Sequence, residues 1–180
     1  MTKRYYFLSF IIFIFCCTVS AQTKKTGPII LDYGKVYTVE NPHFKVDPTK
    51  TYKAVFDIMD SPDDPTKLNA TIETAARFLN MHAQQGVPAE QLIFALVVHH
   101  KASKDMSNNE AYKKRYGTDN PNLDLINSLL SAGGRVVFCG QSSAARGIPR
   151  EDLIEGVELS LSAMTALIQL QDDNYRLIKF

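Results

Sequence analysis

Seven consecutive apolar residues, Leu92-Ile93-Phe94-Ala95-Leu96-Val97-Val98, stand between the polar Gln91 and the pair His99-His100. A strand with one face in water alternates apolar and polar side chains. An unbroken run of this kind therefore predicts a strand covered on both faces, as in a parallel sheet sheathed by helices. Such a strand needs helices above and below it, and the rest of the chain has the periodicity to supply them.

Tyr52 to Met59 reads as a strand, followed by the turn-rich loop Asp60-Ser61-Pro62-Asp63-Asp64-Pro65. Pro65 to Gln85 carries Leu68, Ile72, Ala75, Leu79 and Ala83 on one helical stripe and is closed by Gly86, with Pro88 just beyond. After the apolar strand, Lys101 to Thr118 is a polar excursion that holds a short helix. Asn120-Pro121 then caps a helix with Leu123, Ile126 and Leu130 inward, before Gly133-Gly134. Arg135 to Cys139 is a third strand, and Gly147 and Pro149 end the short helix behind it. Val157 to Ser160 is a fourth strand, Leu161 to Gln171 a helix with Met164, Leu167 and Ile168 on one side, and Tyr175 to Phe180 a last strand. The expected fold is α/β, a three-layer α/β/α sandwich with a mostly parallel five-stranded sheet. The order of the strands is not encoded in this pattern.

The first 50 residues behave differently. Lys3 and Arg4 precede an apolar stretch from Phe7 to Cys17, and Val19-Ser20-Ala21 supplies the small residues of a cleavage site before Gln22, so residues 1–21 read as a secretory signal peptide. The stretch is shorter than the ~20 apolar residues a membrane span requires. A lipoprotein acylated at Cys16 or Cys17 is the alternative, although Phe13, Ile14 and Phe15 are large where a lipobox wants small residues. The expectation is a periplasmic or secreted protein without membrane attachment after cleavage. Residues 22–50 form an irregular arm, unstructured from Gln22 to Thr26 and broken by Pro28, Gly34, Pro42 and Pro48. Its apolar Ile29, Ile30, Leu31, Tyr33, Val36 and Tyr37 dock on the domain or on a neighbouring subunit, which leaves residues 51–180 as the α/β domain.

Cleavage removes two of the three cysteines. Cys139 is then alone in an exported chain, where cysteines normally pair, so it is either buried and inert or a reactive thiol. It ends an apolar strand and is followed at once by Gly140-Gln141-Ser142, which places it at a strand-to-helix turn. The N–H groups and positive dipole end of that helix favour thiolate there, and Arg146 could add a second positive charge. The same rim collects Asp60 after the first strand, His99 and His100 after the second, and Ser160 and Ser162 after the fourth. Neighbouring residues of a strand point to opposite faces, so only one of His99 and His100 faces the thiol. Asp60, Ser160 and Ser162 are equally suited to capping and turns. His82, in the first helix, reads as a packing or surface residue.

Much is excluded. Removing Lys3 and Arg4 takes the formal charge from +1 to −1, so nothing draws the chain to nucleic acid. Lys113-Lys114-Arg115 reads as a solvated helix face, with Tyr112 and Tyr116 packing at i, i+4. The chain has no dinucleotide-binding or phosphate-loop motif and no CxxC pair, so no cofactor is expected. Cys139 and two histidines from different strand ends lack a metal-ligand spacing, and no metal is expected.

The segment Cys139-Gly140-Gln141-Ser142-Ser143-Ala144-Ala145-Arg146-Gly147-Ile148, in the order strand, cysteine, short helix, Arg-Gly, aliphatic, resembles the signature of DsrE/DsrF-like proteins. The likeness extends over roughly Lys53 to Phe180, including the Val97-Val98-His99 strand end and the helix start Asn120-Pro121-Asn122-Leu123-Asp124-Leu125. The resemblance implies an α/β/α sandwich that assembles into a homo-oligomer, a trimer or hexamer. In the sulfur-relay members, a cysteine at the position matching Cys139 carries a persulfide from one protein to the next, which implies a sulfur donor or acceptor protein as partner. Those members are cytoplasmic, whereas this chain carries an export signal and a proline-rich arm.

Two readings follow. In one the chain handles sulfane sulfur as a carrier or sulfurtransferase, with Cys139 as the persulfide-forming residue, Arg146 stabilising its thiolate and His99 moving protons. In the other it is a non-catalytic oligomeric module in which Gly140, Gln141, Ser142, Asp60 and Ser160 surround a small anionic ligand. N-terminal sequencing of exported protein is expected to begin near Gln22; a membrane-retained form starting at Cys16 or Cys17 would establish the lipoprotein instead.

Overall fold

The computed structural model describes residues 23–179; the proposed signal peptide and Phe180 lie outside that range. Five strands form one sheet: β1 (Tyr52–Ile58), β2 (Leu92–Val98), β3 (Arg135–Cys139), β4 (Glu158–Ser160) and β5 (Arg176–Ile178). Every pairing is parallel, and the spatial order is β4-β3-β2-β1-β5. The unbroken apolar run occupies the centre, buried on both faces as expected.

Helices α1 (Ala70–Gln84) and α3 (Leu123–Ser131) cover one face, where Phe56, Phe94, Leu96 and Phe138 meet Ile72, Leu79, Ile126 and Leu129. Helix α5 (Ala163–Asp172) covers the other, against Val55, Ala95, Val97 and Val137. The result is a three-layer α/β/α sandwich. Helices α2 (Asn109–Tyr116) and α4 (Gly140–Arg146) belong to the rim at the carboxyl ends of the strands.

Several local expectations shift by a few residues. Helix α1 starts at Ala70, because the Asn69 side chain caps it by accepting the Thr71 N–H at 2.9 Å, while residues 65–68 are spent in turns. Helix α3 starts past Asn120-Pro121 and buries Leu125, Ile126 and Leu129, a face rotated from the one expected. Helix α5 buries Ala163, Ala166 and Leu170, whereas Met164 is 73% and Ile168 59% exposed. Small side chains let α5 approach the sheet closely, and its bulky apolar stripe is left in water. Tyr112 and Tyr116 do pack on each other, with ring centroids 4.7 Å apart.

The arm docks on its own domain. Asn80 of α1 is fully buried; its side chain accepts from the Ile30 N–H at 2.9 Å and donates to the Ile30, Tyr33 and Gly34 carbonyls. A Cβ on Gly34 would strike the α1 backbone at Ala76, so only glycine permits this approach. Lys25, expected to be unstructured, exchanges both backbone bonds with Val36 at 2.9 Å. Phe44 remains 96% exposed, and Leu31, Tyr37 and Val39 are exposed as well.

On the α1/α3 side of the rim lies a polar cluster that the sequence pattern did not disclose. Asp105 is fully buried and accepts from Asn69 Nδ2 at 2.7 Å, Asn122 Nδ2 at 3.1 Å and Ser61 Oγ at 3.1 Å. Asn122 also accepts the Asn69 N–H at 2.7 Å. One carboxylate thus ties the starts of α1 and α3 to the loop after β1. Burial pushes its pKa up to about 6, against the pull of the Asn69 and Ser61 bonds and of Lys104. The folded chain therefore holds a proton that the unfolded chain releases, and this contribution to stability is full below about pH 4 and lost as pH rises through about 6. Urea unfolding of wild type and Asp105→Asn should show the wild-type advantage shrinking by about 2 kcal/mol from pH 4 to pH 7. At neutral pH, Asp105→Ala should cost about 3 kcal/mol, because it strands buried donors.

Candidate functional site

The rim on the α5 side is built by register. β2 pairs with β3 through Val98 opposite Phe138, so the next positions along, His99 and Cys139, are lateral neighbours. His99 extends the ladder to β1 by donating its N–H to the Ile58 carbonyl at 3.0 Å. Val97 and Val137 face α5, and alternation puts His99 and Cys139 on that same face. Asp57, two positions after Val55 on β1, joins them.

Cys139 is the residue before α4, and the helix turns away at Gly140. A Cβ there would collide with the Ser160 carbonyl of β4, so glycine is required for the turn. The thiol is free and only 5% exposed. Burial alone would push its pKa up. The Ser142 N–H and hydroxyl and the N–H groups of Ala163 and Gln141 outweigh burial and hold it below the ordinary thiol value. Ala163 opens α5 and Gln141 lies in the first turn of α4, so both pKa-lowering N–H groups belong to helix starts, although the Cys139 side chain forms no cap hydrogen bond with α4. Ser142 Oγ is itself placed by the His100 N–H, which donates to it at 3.2 Å.

His99 is oriented by a residue that sequence reasoning missed. Its Nε2 donates to Asp57 Oδ1 at 2.8 Å, and Lys179 Nζ holds Asp57 Oδ2 at 2.9 Å. Burial raises the Asp57 pKa, but the Lys179 and His99 bonds and charges outweigh it and keep the carboxylate ionised below its usual range. An ionised partner fixes the Nε2–H tautomer and leaves Nδ1 open. Among the described residues no hydrogen bond joins His99 to Cys139. The signal in the sequence was a lone charge, Asp57, inside Ala54-Val55-Phe56-Asp57-Ile58.

The other expected site residues scatter. Arg146 lies at the far end of α4, roughly 10 Å along the axis from Cys139, and lines a separate basic pocket with Lys104 and Arg115. Among the described residues no hydrogen bond joins Arg146 to Cys139, and the groups that lower the thiol pKa are the neutral ones of Ser142, Ala163 and Gln141. Asp60 contributes its backbone carbonyl, which accepts from Asn69 Nδ2 at 2.8 Å on the α1 side of the rim, away from the thiol. Ser160 pairs with Cys139 across the ladder, but its hydroxyl is spent on the Phe138 and Ser162 carbonyls, both at 3.1 Å. Ser162 caps α5 by accepting the Thr165 N–H at 3.0 Å. Gln141 donates to the Leu161 carbonyl at 3.3 Å. His100 turns away with φ of 55°, and His82 packs between the rings of Tyr52 and Phe78. No cluster of metal-ligating side chains occurs among the described residues.

Comparison with known proteins follows the same architecture. The structure is similar to MTH1491 from Methanobacterium thermoautotrophicum, a protein of unknown function, and to ychN from E. coli. Each has 19% identity and a TM-score of 0.53, and the match covers 72% of this chain and 99% of the other. These likenesses concern the fold. A curated relative, the uncharacterised protein MK0008 of Methanopyrus kandleri, is 47% identical over 38 residues, which span 21% of this chain and 31% of that protein. The pattern of the DsrE/DsrF-like family matches residues 53–180, from the first strand through the Cys139 turn to the last residue, and the chain belongs to that family.

Proposed function

We propose that this protein handles sulfane sulfur, with Cys139 as the acceptor and carrier. The observation that carries the reading is the position of Cys139, a free and nearly buried thiol immediately before α4 and beside the start of α5, where its pKa is held below the ordinary thiol value against the push of burial. A persulfide anion needs the same stabilisation as a thiolate.

The step is redox-neutral. The Cys139 thiolate attacks the outer sulfur of a donor persulfide, forming a new S–S bond to Cys139, and the donor's own S–S bond breaks to release its thiolate. His99 Nδ1 is the open position on the same face at which a proton can be taken up or delivered, while Asp57 holds the ring by its other nitrogen. Passing the sulfur to an acceptor thiol repeats the exchange in reverse. Donor and acceptor are themselves protein or small-molecule thiols, and an export signal would place the exchange in the periplasm or outside the cell.

Assembly belongs to the same reading. Leu161 and Met164 beside the site and Ile168 one turn on are exposed apolar side chains. A second copy seated on them would border the Cys139 rim. Light scattering is expected to show a trimer or hexamer at micromolar concentration, and Met164→Glu with Ile168→Glu should dissociate it. A monomeric wild type would remove this part of the proposal.

The thiol itself is tested in two ways. Mass spectrometry of protein purified without reductant should find Cys139 heavier by one sulfur atom, and Cys139→Ser should lose that mass while keeping the fold. The pH profile of alkylation should have its midpoint below the free-thiol range. Ser142→Ala removes a hydroxyl that lowers the thiol pKa, so the midpoint should rise and the thiolate fraction near neutrality fall. Arg146→Ala should leave the profile in place. An unmodified thiol that resists alkylation into alkaline solution would favour the anion-binding module instead.

A further inference from the structure

The sheet is not covered evenly. On its α1 face, α1 packs over β1 and β2 and α3 over β3, while the edge strand β5 has no helix above it. A groove of about 830 Å³ runs along this uncovered edge. Its floor is set by register: Ala54 lies beside Arg176 and Phe56 beside Ile178. Its wall is a side stripe of α1, where Ala70, Thr74 and Phe78 follow one another turn by turn. From Ala70 to His82 that wall is about 18 Å long at the helical rise.

The lips of the groove have one sign. No aspartate or glutamate lines it. Arg176 is exposed and makes no ion pair among the described residues, and it shares a strand face with Ile178. Arg77 is already matched by Glu73 at 3.0 Å and Lys53 Nζ lies over the Tyr175 ring, 4.4 Å from its centroid, so of the three cations lining the groove Arg176 is the one left for a guest. Opposite stands His82. Its Nδ1 donates to the Phe78 carbonyl at 2.8 Å, which leaves Nε2 open.

We infer that this groove binds an anionic amphiphile, a carboxylate with a single unbranched apolar tail. The volume lies within the roughly 300–1,000 Å³ of small-molecule sites, and an apolar floor with one convergent charged fork is the arrangement such ligands need. The chain's own apolar stretch Phe7 to Cys17 is a poor match, because Lys3 and Arg4 would bring positive charge to positive lips. The exposed stripe of α5 lies in the opposite layer of the sandwich, so the contact proposed for a second copy does not reach this groove. The site is separate from the Cys139 rim and stands or falls independently of the sulfur reading.

The test is a fluorescence titration of the full chain with cis-parinarate, a polyene carboxylate that brightens in apolar sites. Saturable binding is expected, displaced by dodecanoate and at least tenfold less well by dodecyltrimethylammonium. Arg176→Glu should weaken binding at least tenfold, with Arg176→Ala intermediate, and Thr74→Trp should fill the groove and abolish it. All three variants should keep the wild-type alkylation profile of Cys139, which reports an intact fold. Absence of saturable binding, equal displacement by the cationic amphiphile, or undiminished binding by Arg176→Glu would each overturn the inference.

Discussion

Parallel pairing of β1, β2 and β3 in a single phase is the constraint on which the site depends. Because these strands run the same way, their carboxyl ends finish on one rim. Because side chains alternate, residues in phase share a face. Asp57, His99 and Cys139 sit on three adjacent strands and meet only under both conditions. An antiparallel neighbour would carry its end to the opposite rim, and a slip of one residue would turn its side chain to the other layer.

The same topology delivers helix starts. A crossover from a parallel strand sets out from the carboxyl rim, and so both α4 and α5 begin beside Cys139. Their N–H groups are fixed partial charges that do not titrate. They act on the Cys139 side of the rim, where His99 is held by Asp57 at 2.8 Å.

On the α1/α3 side of the rim, Asp105, Asn69, Asn120 and Asn122 knit the loops into a buried network, with Asn120 donating to the Asp105 and Ser107 carbonyls at 2.8 and 2.7 Å. Fully partnered polar groups of this kind rigidify what they join. The thiol lies on the α5 side.

The sequence by itself determined the elements whose cause is local. The apolar run of β2, the glycine stops after α1 and α4 and the strand-to-helix turn at Cys139 all follow from short-range rules of burial and backbone freedom. The family signature around Cys139 was legible for the same reason, being contiguous. What only the tertiary structure decided depends on lateral neighbours. The order β4-β3-β2-β1-β5 made Asp57 the partner of His99, sent Arg146 to another pocket, and left an edge groove beside β5. The inward face of α5 was decided by how closely alanines let a helix approach the sheet, against the bulkier stripe of Met164 and Ile168. Periodicity records that a face is apolar. Which of two apolar faces is buried is settled by the shape of the surface it meets, and that surface comes from strands distant in the chain.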